Sequence, residues 1–183
     1  MENTLFWTAI GANCLIFLGL LSSIIGASRN RFWPPPNKRS WQYQVLWWSV
    51  RIIVLSIILL AYLEWEAIYI SPNLRYWVAL PIFVISFLLG SSAAFNLGWK
   101  NTHGIENGFE ERGLYRFSRN PQYVSFSISF IALSIFIASP KAMVLLWLLA
   151  AWYLIAPFPE ESWLQERYGE QYSNYKRRVP RYF

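Results

Sequence analysis

Five long stretches of this chain carry almost no charge, and they constrain its fold more than any other feature. They cover residues 4–27, 43–63, 76–99, 121–139 and 142–158, and Arg51 is the one charged residue among them. A helix needs about 20 mostly apolar residues to cross a bilayer, because backbone groups in hydrocarbon must pair within the segment. We therefore predict an all-α integral membrane protein with five transmembrane helices.

The whole chain, residues 1–183, is expected to form a single membrane domain. Two residues separate the fourth stretch from the fifth, which predicts a tight helical hairpin. After the fifth stretch, residues 160–183 are expected to form an amphipathic C-terminal helix, because apolar and aromatic residues recur there at helical spacing. The members of that stripe are Leu164, Tyr168, Tyr172, Tyr175 and Val179.

Lysine and arginine are distributed unequally between the two sides of the predicted membrane domain. The loops after the first and third stretches and the C-terminal tail carry most of them, whereas the opposite side has only Arg75 and Lys141. Because cytoplasmic loops are enriched in these residues, we expect an external N-terminus and a cytoplasmic C-terminus. The net charge of +6 is then explained by lipid headgroups, and no nucleic-acid partner is expected.

The composition limits the chemistry that is available to the chain. It has no aspartate, one histidine and one cysteine, which argues against a metal centre or a disulfide. His103 is either a solvated loop residue or a contact to a cofactor or a reacting proton. Arg51 either extends back to the membrane surface or contacts substrate. Residues 29–41, with three consecutive prolines, are expected to lie extended on the headgroups, and the alternative is that they gate the access of substrate.

Residues 112–126, RGLYRFSRNPQYVSF, place arginines and aromatic rings at the start of the fourth stretch. Pro121 suits the first position of a helix, and Gly113 permits a turn. The free amides of that helix start, with Arg116 and Arg119, predict an anion site. Tyr115, Phe117 and Tyr123 would surround it with flat rings.

Two glutamates, Glu160 and Glu161, follow the proline-rich end of the fifth stretch. Acidic residues in the first turn of a helix stabilise it through the helix dipole, and this is one explanation for the pair. The alternative is that a carboxylate pair at the membrane edge faces a cation.

These two segments together resemble motifs of isoprenylcysteine carboxyl methyltransferases and related phospholipid methyltransferases. Residues 113–123, GLYRFSRNPQY, are similar to G-x-Y-x-x-x-R-[HN]-P-x-Y. Residues 160–180, EESWLQERYGEQYSNYKRRVP, are similar to E-E-x-x-L-x-x-x-[FY]-G-x-x-Y-x-x-Y-x-x-x-V-P. Asn120 stands where the eukaryotic enzymes have histidine, as in a bacterial-type member, so we expect the bacterial inner membrane as the location.

The resemblance implies a methyltransferase that uses S-adenosyl-L-methionine. It implies two catalytic residues, Arg119 and Glu161, and Tyr168 as a substrate contact. Arg51, as a charged residue inside the second stretch, is the other candidate substrate contact. The candidate cofactor-binding residues are His103, Gly113, Leu114, Tyr115, Arg119, Asn120, Pro121, Tyr123, Glu160 and Glu161. The acceptor would be a membrane lipid or a lipidated or apolar molecule: a prenylcysteine-type carboxylate or thiol, or a phospholipid amine.

Two other functions are compatible with the same motifs. Membrane sterol reductases that use NADPH share a similar R-x-P-x-Y segment and acidic pair, although they are usually longer. A non-catalytic membrane scaffold would use the motifs only as interface anchors. The identity of the acceptor and the oligomeric state stay open at this level.

Overall fold

The computed structural model describes residues 1–26, 31–105 and 108–182, and every regular element within these ranges is helical. The main helices are α1 (Glu2–Ile25), α2 (Trp41–Leu63), α3 (Leu80–Leu97), α4 (Trp99–Thr102), α5 (Pro121–Ile137), α6 (Pro140–Ile155) and α7 (Pro157–Arg178). A π-helical segment, Asn73–Ala79, runs directly into α3, and a single 3₁₀ turn covers Gly113–Arg116.

Four helical segments are long and apolar enough to cross a membrane. They are Glu2–Ile25, Trp41–Leu63, Asn73–Leu97 and the segment Pro140–Arg178, whose apolar part is α6. The remaining candidate, α5, is apolar but has 17 residues, which is the lower limit for a membrane span. The protein is therefore an all-helical integral membrane protein with four clear spans, and the fifth stays a prediction.

Local sequence explains where the helices begin and end, within a few residues of the predicted limits. Ser40 and Ser139 accept hydrogen bonds from backbone amides at the starts of α2 and α6, as N-cap residues do. Gly98, with φ of 83°, ends α3, so the predicted stretch 76–99 is interrupted before Trp99. Ala138 in the left-handed conformation ends α5, and only Ser139 then precedes α6.

The bundle core is formed mainly by α1, α2 and α6, and α5 joins α6 to α3. Fully buried side chains at this core include Ile16, Leu20, Ile53 and Leu145. Large apolar side chains such as Trp77 and Leu88 instead face outward. An outer surface of this kind is what a lipid environment requires, since hydrocarbon solvates apolar side chains.

The first half of the proline-containing segment after α1, residues 32–35, is buried in the bundle and does not lie on the membrane surface as predicted, whereas residues 36–39 are exposed. Phe32 and Trp33 are 3% and 5% exposed, and both backbone amides donate to the Ser23 hydroxyl at 2.8 and 3.0 Å. Pro34 and Pro35 are buried as well. The prediction was wrong because the aromatic side chains gain more from burial in the bundle than from contact with headgroups.

The helix after α6 begins three residues before the predicted start, and it is not continuous to residue 183. Pro157 and Pro159 lie in its first turn. Backbone amides there have no intrahelical acceptor, so the missing N–H of proline costs no hydrogen bond. Gly169 breaks the helical geometry with φ of 49°. Beyond Arg178 the chain leaves the helix, and we call residues 179–182 the C-terminal strap.

Charged residues at one end of the bundle pair with one another; we call Glu2, Glu64, Glu66, Arg75 and Lys141 the Lys141 end. Lys141 bonds to Glu64 and lies 3.3 Å from Glu2. Arg75, 3% exposed, donates twice to the Phe136 carbonyl at 2.7 and 2.9 Å and pairs with Glu66 at 2.5 Å. The opposite end contains the acidic pair, and we call it the Glu160 end.

Candidate functional site

A cavity of about 690 Å³, partly open to solvent, lies at the Glu160 end. Its walls come mainly from the start of α5, from α7 and from the loop that follows α4, and aromatic side chains form the largest group among the lining residues. The aromatic members are Phe109, Tyr115, Tyr123, Trp163, Tyr168, Tyr172 and Tyr175, and the charged members are Glu110, Arg119 and Glu160.

Glu160 faces this cavity, with aromatic hydrogen-bond donors around it. The Tyr123 hydroxyl donates to its carboxylate at 2.5 Å, and the Trp33 indole N–H donates at 3.4 Å. Within the described ranges no lysine or arginine forms an ion pair with it. The negative charge of Glu160 is therefore available to attract a cation or to bind a proton.

Glu161 has different surroundings, although it is the next residue. Arg181 of the C-terminal strap grips its carboxylate with two hydrogen bonds of 2.8 and 2.9 Å. Arg119 pairs with it at 3.4 Å from the other side. Glu161 is 6% exposed and does not line the cavity. Its charge is already matched, so in this geometry it holds Arg119 in place.

Arg119 lies two residues before the start of α5, and its side chain lines the cavity. Its side chain is 8% exposed, and one terminal nitrogen donates to the Tyr172 hydroxyl at 3.4 Å. The buried Nε has no hydrogen-bond partner in the described part of the chain. A buried guanidinium donor without a partner costs free energy, which a ligand with acceptor oxygens would recover.

The C-terminal strap fixes the backbone next to Arg119. The Arg119 amide donates to the Pro180 carbonyl at 2.9 Å. The Asn120 side-chain amide donates to the Arg181 carbonyl at 3.0 Å, and the Ser118 hydroxyl to the same oxygen at 3.3 Å. Asn120 also lines the cavity. This asparagine therefore attaches the start of α5 to the strap.

The turn before α5 positions Tyr115 at the cavity wall. Gly113 has φ of 59°, and a Cβ atom there would lie 2.5 Å from the Asn96 side-chain nitrogen. Only glycine fits both constraints without a shift. Tyr115 is 5% exposed, and its carbonyl accepts from the Tyr175 hydroxyl at 2.7 Å. The conformation at Gly113 thus directs an aromatic ring inward.

The structure brings some of the predicted site residues together and leaves others apart. The predicted residues that line the cavity are Tyr115, Arg119, Asn120, Tyr123, Glu160 and Tyr168. Gly113, Leu114 and Pro121 shape the turn beside it, and Glu161 lies behind Arg119. His103 packs against Trp47, with the two rings tilted by 30° and their centroids 4.5 Å apart. Arg51 is exposed on α2 over the Trp48 ring, at 4.9 Å, and does not reach the cavity.

Several residues of the site were not predicted. Trp33, which donates to Glu160, was assigned to the membrane surface, and the cavity-lining residues Asn101, Phe109 and Trp163 were not singled out. Arg181 is the most important omission because it neutralises Glu161. The sequence contained one indication of this role. Arg181 directly follows Val179-Pro180, in a segment that contains both charged and aromatic residues.

These features define the class of the protein. It is an all-helical membrane protein with a polar, aromatic-walled cavity at one end. The family model for phospholipid methyltransferases matches residues 74–171, slightly more than half of the 183 residues. The chain belongs to the phospholipid methyltransferase family, and this membership indicates a membrane methyltransferase. No curated protein and no solved structure matches the chain.

Proposed function

We propose that the protein is an S-adenosylmethionine-dependent methyltransferase that acts on a lipid-like or apolar acceptor at the cytoplasmic face of the membrane. The observation that supports it most strongly is that a carboxylate and a guanidinium in one cavity each lack one kind of partner. Glu160 has no cationic partner among the described residues, and the Arg119 Nε has no acceptor. A ligand that carries both a cation and a carboxylate would satisfy both groups.

The side chains of the cavity fit the parts of this cofactor. Arg119 would bind its carboxylate, since a guanidinium presents several donors to such a group. Glu160 and the tyrosine rings would face its cationic end, because carboxylates and aromatic faces both attract cations. The remaining aromatic wall suits the adenine. When bound, S-adenosylmethionine would supply a methyl group that is activated by its sulfonium.

The chain's own contribution would be alignment in a water-poor site. Tyr123 holds Glu160 in one orientation, and the strap holds Arg119 through Glu161. Fixed polar groups in a cavity of low dielectric stabilise developing charge more strongly than water does. A carboxylate acceptor would need no general base. An amine acceptor would have to lose a proton, and Glu160, which lines the cavity, is placed to accept it.

Cofactor binding and methyl transfer test the proposal separately. Calorimetric titration of the purified protein with S-adenosylhomocysteine should show saturable binding, whereas titration with NADPH should not. Incubation with labelled S-adenosylmethionine and membrane lipid extract should label a lipid-like product. Saturable NADPH binding without S-adenosylhomocysteine binding would favour a reductase and overturn the proposal.

A further inference from the structure

A concave surface that is open to solvent lies at the Glu160 end, and it is distinct from the cavity that contains Glu160. Three of its six described lining residues are arginines, and we call it the arginine surface. Tyr175 contributes to its wall and also to the wall of the cavity. The formal charge of the surface is +2, from three arginines and one glutamate. Its members are Glu111, Arg112, Arg116, Tyr175, Arg178 and Val179.

Two segments that are distant in the sequence bring the three arginines together. Arg112 and Arg116 lie at the two ends of the 3₁₀ turn before α5, whereas Arg178 is the last residue of α7. The Tyr175 hydroxyl donates to the Tyr115 carbonyl at 2.7 Å and so joins the turn to α7. Tyr175 is 3% exposed, so packing holds this contact in place. The fold therefore concentrates positive charge where the turn meets the helix.

Most of this positive charge has no partner within the described part of the chain. Arg112 and Arg116 are exposed, and neither forms an ion pair with a described residue. Arg178 pairs with Glu111 at 2.9 Å, and the two side chains are 66% and 31% exposed. Ion pairs with this much exposure are weak, so Arg178 can also contact a second anion. Like charges on one concave surface repel each other, and a bound anion would relieve that repulsion.

The surroundings of the arginine surface indicate that this anion belongs to the membrane. Phe117 directly follows Arg116, lies four residues before the start of α5 and is 74% exposed. An exposed aromatic ring beside arginines at the start of an apolar helix is typical of a segment at the depth of lipid headgroups. Lys176 and Arg177 add two exposed basic residues in the last turn of α7. Clusters of about four to eight basic residues beside a membrane helix bind anionic headgroups.

We propose that the arginine surface binds the headgroup of an anionic phospholipid, with the phosphate between Arg112, Arg116 and Arg178. Such a headgroup has a net negative charge, which the arginines complement. Phosphatidylcholine also contains a phosphate, but the same arginines would repel its ammonium group. The bound headgroup would hold the 3₁₀ turn and the end of α7 together at the membrane surface. The inference does not depend on the proposed function, because the charged residues of the cavity are a different set.

Native mass spectrometry of the full chain in detergent tests the inference with two probes, dioleoyl phosphatidylglycerol and dioleoyl phosphatidylcholine. The first phosphatidylglycerol molecule should bind at least about tenfold more tightly than the first phosphatidylcholine molecule. Combining Arg112→Gln with Arg116→Gln should weaken phosphatidylglycerol binding about 30-fold, since each basic residue near an anionic lipid surface contributes a factor of roughly five. Combining Arg112→Lys with Arg116→Lys should keep the binding within about threefold, because lysine also binds phosphate.

The matched control removes two basic residues from another exposed segment on the same predicted side of the membrane. Lys38 and Arg39 are exposed before α2 and do not line the arginine surface. Combining Lys38→Gln with Arg39→Gln should change phosphatidylglycerol binding by less than about twofold. Circular dichroism checks that every variant is folded. If the Arg112→Gln and Arg116→Gln double variant does not fold, Arg112→Gln alone carries the test, with a loss of about fivefold.

Two results would overturn the inference. Equal losses of binding in the two double variants that remove charge would mean that phosphatidylglycerol responds only to the overall charge of the protein. Equal affinities of the unmodified protein for the two lipids would mean that the arginine surface does not select an anionic headgroup.

Discussion

The two ends of the helical bundle both contain buried charged groups, but they use them differently. At the Lys141 end, Lys141 has two carboxylate partners, and Arg75 has a carboxylate and a backbone carbonyl. At the Glu160 end, Glu161 is held by two arginines, whereas Glu160 has none among the described residues and the Arg119 Nε lacks an acceptor. A fully matched cluster joins helices to one another. A cluster beside a cavity in which some charges or donors lack a protein partner can bind a ligand that supplies those partners.

The largest expected effect concerns the sides of the membrane on which the two ends lie. In a Cys14→Ala background, a membrane-impermeant thiol reagent should label Ser71→Cys from outside and Asn37→Cys only after the membrane is opened. The unequal distribution of lysine and arginine motivates this expectation. External labelling of Asn37→Cys would place the Glu160 end outside the cell, where a cytoplasmic cofactor cannot reach it.

Glu160→Gln should weaken S-adenosylhomocysteine or S-adenosylmethionine binding strongly, with the larger loss for the cationic S-adenosylmethionine. Removing a charge that faces a cationic ligand in a buried site is worth up to about 3 kcal/mol, or roughly 100-fold in affinity. Calorimetric titration with both ligands measures the effect. Equal, small losses for both would mean that Glu160 is a helix-start residue without a ligand.

Arg119→Lys is expected to reduce methyl transfer about 30-fold, since lysine cannot reproduce the planar contacts to Glu161, Tyr172 and a ligand. This corresponds to about 2 kcal/mol, the usual value of a hydrogen bond to a charged group. Arg116→Lys is the matched control, because Arg116 is exposed in the same segment. The measurement is the initial rate of methyl transfer from labelled S-adenosylmethionine. Equal rates in both variants would indicate that Arg119 only anchors the segment at the membrane surface.

Glu64→Gln should show the opposite behaviour, with a loss of stability and no loss of ligand affinity. Glu64 bonds to Lys141 and accepts from the Ser139 hydroxyl at 2.7 Å. We expect a decrease of about 1 kcal/mol in the free energy of unfolding, measured by denaturation in mixed micelles. A parallel loss of S-adenosylhomocysteine affinity would contradict the separation of the two ends.

The smallest effect should be a pH dependence of stability at the Lys141 end. The hydrogen bond from Arg75 holds the pKa of Glu66 below its ordinary value of 4.5. Since the folded-state pKa is the lower one, the stabilisation is fully present above pH 4.5 and is lost as the pH falls through the lowered value. The difference in melting temperature between the unmodified protein and Glu66→Gln should therefore shrink on acidification. A difference that is constant between pH 7 and pH 3 would refute this.

Much of the fold was predictable because hydropathy and helix caps act locally. Stretches without charge located the helices to within a few residues, and Pro121 marked the first residue of α5. The cluster of Tyr115, Arg119, Asn120 and Tyr123 was also accessible, because the four residues lie within one turn and the following helix start. These features depend on neighbours in the sequence.

The different surroundings of Glu160 and Glu161 were not predictable in the same way. Successive residues on a helix point about 100° apart, so an adjacent pair seldom faces one target. Which of the two meets the cavity depends on where Arg181 and Tyr123 lie in space. The position of Trp33 likewise depends on its partner Glu160, 127 residues later.

The C-terminal strap has a consequence for how the protein is made. The backbone amide of Arg119 donates to the carbonyl of Pro180, and its side chain shares Glu161 with Arg181. These contacts at the start of α5 cannot form until α6, α7 and the strap have left the ribosome. At roughly 5–20 residues per second, that interval is roughly 3–12 s. Until Glu161 and the strap have been synthesised, Arg119 lacks both of these partners.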